Sequence, residues 1–194
     1  KTDFIFTCRD IKEGGFEDHP EKLRTECLLE AIELGVQYID IEFKNFSKTL
    51  NREKINLAIL KAPKTRLILS AHNFEKPFDD LAKLYRKIQR LAPAAIPKLV
   101  YKANHINEIF DSFDLLHKLN KDCITFSMGP HGMISRILAA KFNSFLTFVS
   151  LDKESQTAPG QVSIDQMTDL YRFKEINSKT EIYGIIASPV AHSK

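Results

Sequence analysis

Ala95-Ile96-Pro97-Lys98-Leu99-Val100-Tyr101 is the stretch on which the reading of this chain turns. Its apolar residues mark a short strand, and Lys98 stands where a strand would rather place an apolar side chain. A lysine is almost never fully buried without a partner, because an unpaired ammonium forfeits its hydration. Lys98 therefore either ends the strand in solvent, its stem laid along apolar surface, or serves as a nucleophilic amine inside a pocket. The flanking segments decide between these.

Upstream, 66–71 reads as a strand and 78–91 as the helix that leads into the lysine strand. Downstream, 106–119 reads as a helix and 123–128 as a strand. The alternation continues outward, with strands at 4–8, 37–42 and 144–149 and helices at 21–34, 52–60, 133–141 and 164–173. The helix over 21–34 is the clearest, with Leu23, Cys27, Ala31 and Leu34 at helical spacing and Gly35 as its stop. Strand–helix repetition of this kind means βα units and a parallel sheet. An open doubly wound sheet and a (β/α)8 TIM barrel compete. No strand is followed by G-x-G-x-x-G or G-x-x-x-x-G-K-[ST], which weakens the nucleotide-binding versions of the open sheet.

The placement of polar residues favours the barrel. Asp40 and Glu42 share a strand face, as do Ser70 and His72, and Thr7 and Arg9. Polar groups at the C-terminal ends of successive parallel strands converge on one rim, where such barrels do their chemistry. Six strands are legible where a barrel has eight, so the expectation is an α/β (β/α)8 TIM barrel lacking about the first two βα units. Two unpaired sheet edges are a liability, and the piece is expected to be inactive alone or to aggregate.

Bulk composition narrows the function. The 194 residues are 43% hydrophobic and 27% charged, as in an ordinary globular protein. A net charge of +3 without any Lys/Arg block argues against nucleic acid. No apolar run approaches the ~18 residues of a membrane span. Cys8, Cys27 and Cys123 are scattered and odd in number, which suits reduced thiols in a cytoplasmic compartment. The apolar start at Phe4-Ile5-Phe6 lacks the pattern of a signal peptide. A plastid location is the expectation if a transit peptide lies upstream.

Several residues could carry chemistry. His72 sits at a strand end, where it is either structural or a proton carrier. Arg136 follows the glycine-bearing loop Gly129-Pro130-His131-Gly132 and is either a surface ion-pair partner or a two-pronged carboxylate clamp. Thr157-Ala158-Pro159-Gly160-Gln161 is a loop by its Pro-Gly pair, and alone it reads as a plain turn. Asp40 and Glu42 suit ion pairs better than a metal, since no companion ligand motif accompanies them. His19, His105, His117 and His131 show no ligand spacing. Together the rim offers an amine, an imidazole and two guanidiniums, a set suited to an anionic small molecule with a carbonyl. An unperturbed lysine is neutral only about once in 2,500 molecules at pH 7. Nearby Arg9 and Arg136, and desolvation, would lower its pKa.

These segments resemble the type I 3-dehydroquinate dehydratase family. The resemblance rests on Phe6-Thr7-Cys8-Arg9 with Lys12-Glu13-Gly14-Gly15, Tyr38-Ile39-Asp40-Ile41-Glu42, Ser70-Ala71-His72-Asn73-Phe74, Ile96-Pro97-Lys98, Ser127-Met128-Gly129 through Ser135-Arg136, and Ala158-Pro159-Gly160-Gln161. The tail from Tyr183 to Lys194 is similar to the opening of shikimate dehydrogenase, as in plant-like bifunctional enzymes. The implied domains are a partial dehydratase barrel over 1–174, a linker at 175–180 and the first dehydrogenase strand at 181–194.

The resemblance implies roles. Lys98 would form an imine with the ketone of 3-dehydroquinate, His72 would move the proton, and Glu13 would orient His72. Arg136 and Gln161 would hold the substrate carboxylate, and Arg9 and Thr157 would contact hydroxyls. It implies no metal or organic cofactor, with NADP expected only for the dehydrogenase domain, where Ser193 matches a shikimate-binding serine. It places Lys102 and Val149 where the family more often has smaller or apolar residues, and Lys102 shares the strand face of Lys98. A second reading is a non-catalytic relative that binds a shikimate- or quinate-type acid in regulation.

Overall fold

Strand faces of opposite character set the architecture. In a computed structural model, which describes residues 2–152, 154 and 161–184, the strands are β1 (Ile5–Thr7), β2 (Tyr38–Glu42), β3 (Arg66–Asn73), β4 (Ile96–Lys102) and β5 (Ile124–Met128). They pair in sequence order and all in parallel. Helices α1 (Glu21–Glu33), α2 (Phe43–Phe46), α3 (Thr49–Lys61), α4 (Leu81–Leu91), α5 (Phe110–His117) and α6 (Met133–Ile137) lie between or after them.

The sheet is buried on both faces, as parallel sheets are. Ile39, Ile41, Leu69 and Leu99 pack outward with Leu28 and Ile32 of α1, Ile55 of α3 and Ile88 of α4. Ile68, Ile96, Val100, Ile124, Phe126 and Met128 form the inner apolar face. Each fully buried side chain of this kind contributes ~1.5–3 kcal/mol, so this two-sided core is what holds the polar interior in place.

Helix ends follow local signals. Gly35, at φ 78°, closes α1. The helix expected from 78 starts at Leu81, because the Asp80 carboxylate accepts the Lys83 N–H at 2.6 Å and fixes the N-terminus there. The helix expected over 106–119 opens as a 3-10 turn, Ile106–Ile109, under a His105–Glu108 capping box, before α5. The helices expected over 133–141 and 164–173 shorten to α6 and a π-type turn, Gln166–Leu170. Two elements were not legible, α2 and the 3-10 turn Ile11–Glu13.

The sixth strand is a correction. Residues 144–149 form no ladder, and Phe145 N–H donating to the Cys123 carbonyl at 2.9 Å ties the segment to the residue just before β5. Side chains anchor it instead: Phe145, Leu146 and Phe148 pack onto the inner face. The strand-like composition of 144–149 thus reflects burial, not pairing.

Residues 175–180 dock on the domain, with Ile176 against the Ile137–Val162–Met167 cluster and Lys141 Nζ donating to the Thr180 carbonyl at 2.6 Å. The segment expected to open a second domain at 181–194 is described only as far as 184, and Thr157 lies outside the described residues.

The turn from β5 into α6 admits no side chain at Gly132, where a Cβ would lie 2.4 Å from the Ser127 carbonyl oxygen. Gly132→Ala is expected to cost about 3 kcal/mol by overpacking. Urea unfolding measures this, and a loss under ~0.5 kcal/mol would contradict it.

Candidate active site

Polar side chains of β2, β3 and β4 meet above the inner apolar layer, and Asp40 is at their centre. Arg9, just beyond β1, donates Nη2 to Asp40 Oδ2 at 2.8 Å, and Nη1 to Glu42 Oε1 at 2.8 Å and Ser70 Oγ at 2.6 Å. Ser70 Oγ donates to Asp40 Oδ1 at 2.6 Å. Lys98 Nζ donates to Asp40 Oδ2 at 2.9 Å and lies 4.2 Å from the centre of the Phe148 ring. Burial pushes the Asp40 carboxyl up, but Lys98 and Arg9 outweigh it and hold Asp40 far below the usual carboxylate range.

Lys98 is 7% exposed. Burial lowers its pKa, Asp40 opposes this, and Arg9 and Arg136 add to the lowering, so the amine lies below the ordinary lysine value. The snorkelling alternative is excluded. Lys102 is exposed at the end of β4 and is not among the charges that chiefly act on Lys98.

His72 is on β3 and Lys98 on β4, with Ser70 in register with Lys98 and His72 with Val100. Side chains of one parity share a face, so the imidazole sits one step further along the same interior. Glu13 Oε2 accepts from the His72 backbone N–H and meets Nδ1, both at 3.1 Å. A carboxylate only accepts, so Nδ1 carries the proton and Nε2 keeps its lone pair. Burial lowers the His72 pKa, Glu13 raises it, and Arg9 and Lys98 lower it again, for a net fall below 6.5. Phe74 stacks beside the ring, centroids 6.1 Å apart. It lies on Gly14, whose φ of +89° and lack of a Cβ make the room.

Arg136, on α6, is 2% exposed. Its guanidinium lies 4.2 Å from the Phe126 ring centre, Nη1 reaches the Phe148 carbonyl at 3.4 Å, and Nε has no partner among the described residues. Burial brings its pKa down to about 10. A buried guanidinium without a facing carboxylate is an anion site in waiting.

Arg9, Glu13, His72, Lys98, Arg136 and Gln161 open onto one cavity of about 160 Å³. The structure thus brings together six of the seven residues singled out from the sequence, and Thr157 lies outside the described residues. Sequence reasoning missed Ser70 as a hinge between Arg9 and Asp40, Phe148 over Lys98 and Phe126 under Arg136. Phe148 was legible only as an aromatic in an apolar run. Asp40 and Glu42 are ion-pair partners, and among the described residues no cluster of His, Cys, Asp and Glu could hold a metal.

Comparison with known proteins gives a consistent result. Residues 1–178 match the family model described as Type I 3-dehydroquinase. The chloroplastic bifunctional 3-dehydroquinate dehydratase/shikimate dehydrogenase of Arabidopsis thaliana is 37% identical over 195 residues, covering 98% of this chain and 31% of that protein. The 3-dehydroquinate dehydratase of Desulfotalea psychrophila is 34% identical over 175 residues, covering 88% of this chain and 76% of that one. The chain therefore spans about a third of the plant relative and about three quarters of the bacterial one. Among solved structures, the type I 3-dehydroquinate dehydratase of Clostridium difficile superposes with TM-score 0.75 at 24% identity, over 89% of this chain and 68% of that one. That of Aquifex aeolicus superposes with TM-score 0.71 at 32% identity, over 89% and 74%. The five parallel strands are accordingly part of a (β/α)8 barrel fold.

Proposed function

The chain belongs to the type I 3-dehydroquinase family, and we propose that it carries the dehydration site for 3-dehydroquinate. One observation supports this above the others. A buried, depressed lysine and a carboxylate-oriented histidine share the cavity lined by a guanidinium that, among the described residues, faces no carboxylate.

Lys98 Nζ, as the neutral amine, attacks the C3 ketone, and the carbinolamine takes up a proton from solvent and loses water to give an iminium. The iminium draws electrons from the C2–H bond, and His72 Nε2 takes that proton to leave an enamine. The enamine expels the C1 hydroxyl, which departs as water with the proton from His72. Hydrolysis of the imine frees 3-dehydroshikimate and restores Lys98, so the net change is loss of one water. Glu13 keeps Nδ1 protonated throughout. Arg136 and Gln161 hold the carboxylate, and Arg9 and Thr157 meet hydroxyls. The reaction so written uses no metal or organic cofactor.

Residues 181–194 open a shikimate dehydrogenase domain in this proposal, a reading supported by the plant relative, which aligns over 98% of the chain. NADP would belong to that domain. A compartment that keeps thiols reduced, cytoplasm or plastid, suits the free Cys8, Cys27 and Cys123. Among the described residues no helix is long and apolar enough to cross a membrane.

The test is borohydride reduction with 3-dehydroquinate, in the protein as its gene encodes it. The reduced adduct is expected on the peptide holding Lys98, and its absence would overturn the proposal. A pH prediction accompanies it. His72 must be neutral to take the proton, and its pKa lies below 6.5 because burial, Arg9 and Lys98 outweigh Glu13. The acid limb of kcat/KM, which reports the free protein, followed by absorbance of the conjugated product, should have its midpoint below 6.5. A midpoint at or above that value would contradict the assignment.

A further inference from the structure

Glu13 can orient His72 only if the turn that carries it is held. That turn, Ile11–Glu13, has no buried residue, so its hold depends mainly on hydrogen bonds. Its anchor is Asp10. The Asp10 carbonyl accepts the Glu13 and Gly15 N–H groups, both at 2.9 Å, and Asp10 Oδ1 accepts Lys12 N–H at 2.9 Å. Asp10 is held in turn from three directions. Its own N–H donates to Glu42 Oε1 at 3.1 Å, Asn45 Nδ2 lies 3.4 Å from Oδ2, and Arg24 Nη2 donates to Oδ2 at 2.6 Å.

Arg24 is the unusual member. It sits on α1, outside the cavity lining, and is only 6% exposed. A bare structural arginine would be an expensive choice for such a place. Its two guanidinium ends are both used, Nη2 on Asp10 and Nη1 on the His19 carbonyl at 2.6 Å. It therefore pins the turn to the helix that follows it, with a planar fork that lysine cannot copy.

We infer that Arg24 is a positioning residue, which acts through Asp10 to set the Glu13–His72 pair. The inference rests on the proposed dehydration for its kinetic readout. Its second readout, the titration of His72, needs no turnover. His72 is faced by Glu13 from the turn, Arg9 from the end of β1, Asp40 from β2 and Lys98 from β4, and a displaced Glu13 changes one member of that set.

The variants are Arg24→Gln, Asp10→Asn and their double, in the protein as its gene encodes it. Misplacement of a positioned group by about 1 Å costs on the order of 100-fold, so each single variant should lower kcat by about that factor. KM should move less than about 3-fold, because ground-state contacts to substrate are untouched. The double should lose no more than the worse single, since both changes break one link. Carbethoxylation of His72, read peptide by peptide by mass spectrometry against pH, should shift its midpoint to lower pH as Glu13 withdraws. Arg24→Lys should recover part of kcat. Additive losses in the double would overturn the route through Asp10. An unchanged His72 midpoint with a lowered Tm would leave Arg24 merely structural and overturn the inference. A wild-type protein without an imine adduct counts against the dehydration proposal alone, and the His72 midpoints still decide the role of Arg24.

Discussion

Lys98→Met should abolish the reducible adduct, lower turnover at least about 10⁴-fold, and leave the fold no less stable than before. The first two follow from the loss of the nucleophile, for which no neighbouring group substitutes. The third is a choice between opposed effects. Removing one partner of a buried ion pair usually destabilises by ~3–5 kcal/mol, because the other charge is stranded. Here Asp40 is not stranded, since Arg9 and Ser70 keep hold of it. Lys98 itself has a folded pKa below its unfolded one, chiefly through burial. The unfolded state therefore binds the proton more readily, so charged Lys98 subtracts stability below its folded pKa and stops doing so as pH rises through the unfolded value near 10.4. Methionine removes that penalty and sets a thioether against the Phe148 ring. A gain of about 1 kcal/mol, some 3 °C in Tm, is expected at pH 7 and should narrow toward pH 10. Thermal unfolding across pH measures it, and a lower Tm at pH 7 would show that the Asp40 pair dominates.

Arg136→Leu should separate binding from chemistry. Arg136 lines the same cavity as Lys98 and His72, and among the described residues no carboxylate pairs with it. A hydrogen bond from a charged donor contributes ~1.5–3 kcal/mol, so losing a carboxylate clamp should raise KM about 100-fold. At saturating substrate the adduct on Lys98 should still form, because the amine remains and burial and Arg9 still lower its pKa once the share due to Arg136 is gone. Stability should rise, because a guanidinium that burial brings down to about 10 is offset only weakly by the Phe126 ring and a long contact to the Phe148 carbonyl. Steady-state kinetics with borohydride trapping distinguish the cases. An unchanged KM, with trapping lost, would mean that Arg136 serves the chemistry and not the carboxylate.

Much of this was legible in the sequence because alternation is a strong signal. Asp40 and Glu42 fall on one face of β2, and Ser70 and His72 on one face of β3, at a spacing that only a strand produces. The limits were equally physical. Residues 144–149 have strand composition, but composition reports burial, and pairing depends on a backbone neighbour that no side chain announces. Likewise the Arg24–Asp10 contact spans 14 positions and joins a helix to a turn, so no periodic pattern could flag it. The start of α4 was readable from Asp80, a sound N-cap, but apolar Phe78 drew the boundary outward.

The charges around the cavity have a consequence for how a ligand arrives. Arg9, Lys98 and Arg136 stand against Glu13, Asp40 and Glu42, three formal cations against three formal anions. Seen from beyond a Debye length, ~8 Å in physiological salt, such a set nearly cancels and draws no anion from solution. Its attraction for a carboxylate is felt only once the ligand is inside and touching Arg136. Capture is thus a matter of contact and not of long-range steering, so association should be almost indifferent to ionic strength, and discrimination falls on how long a molecule stays.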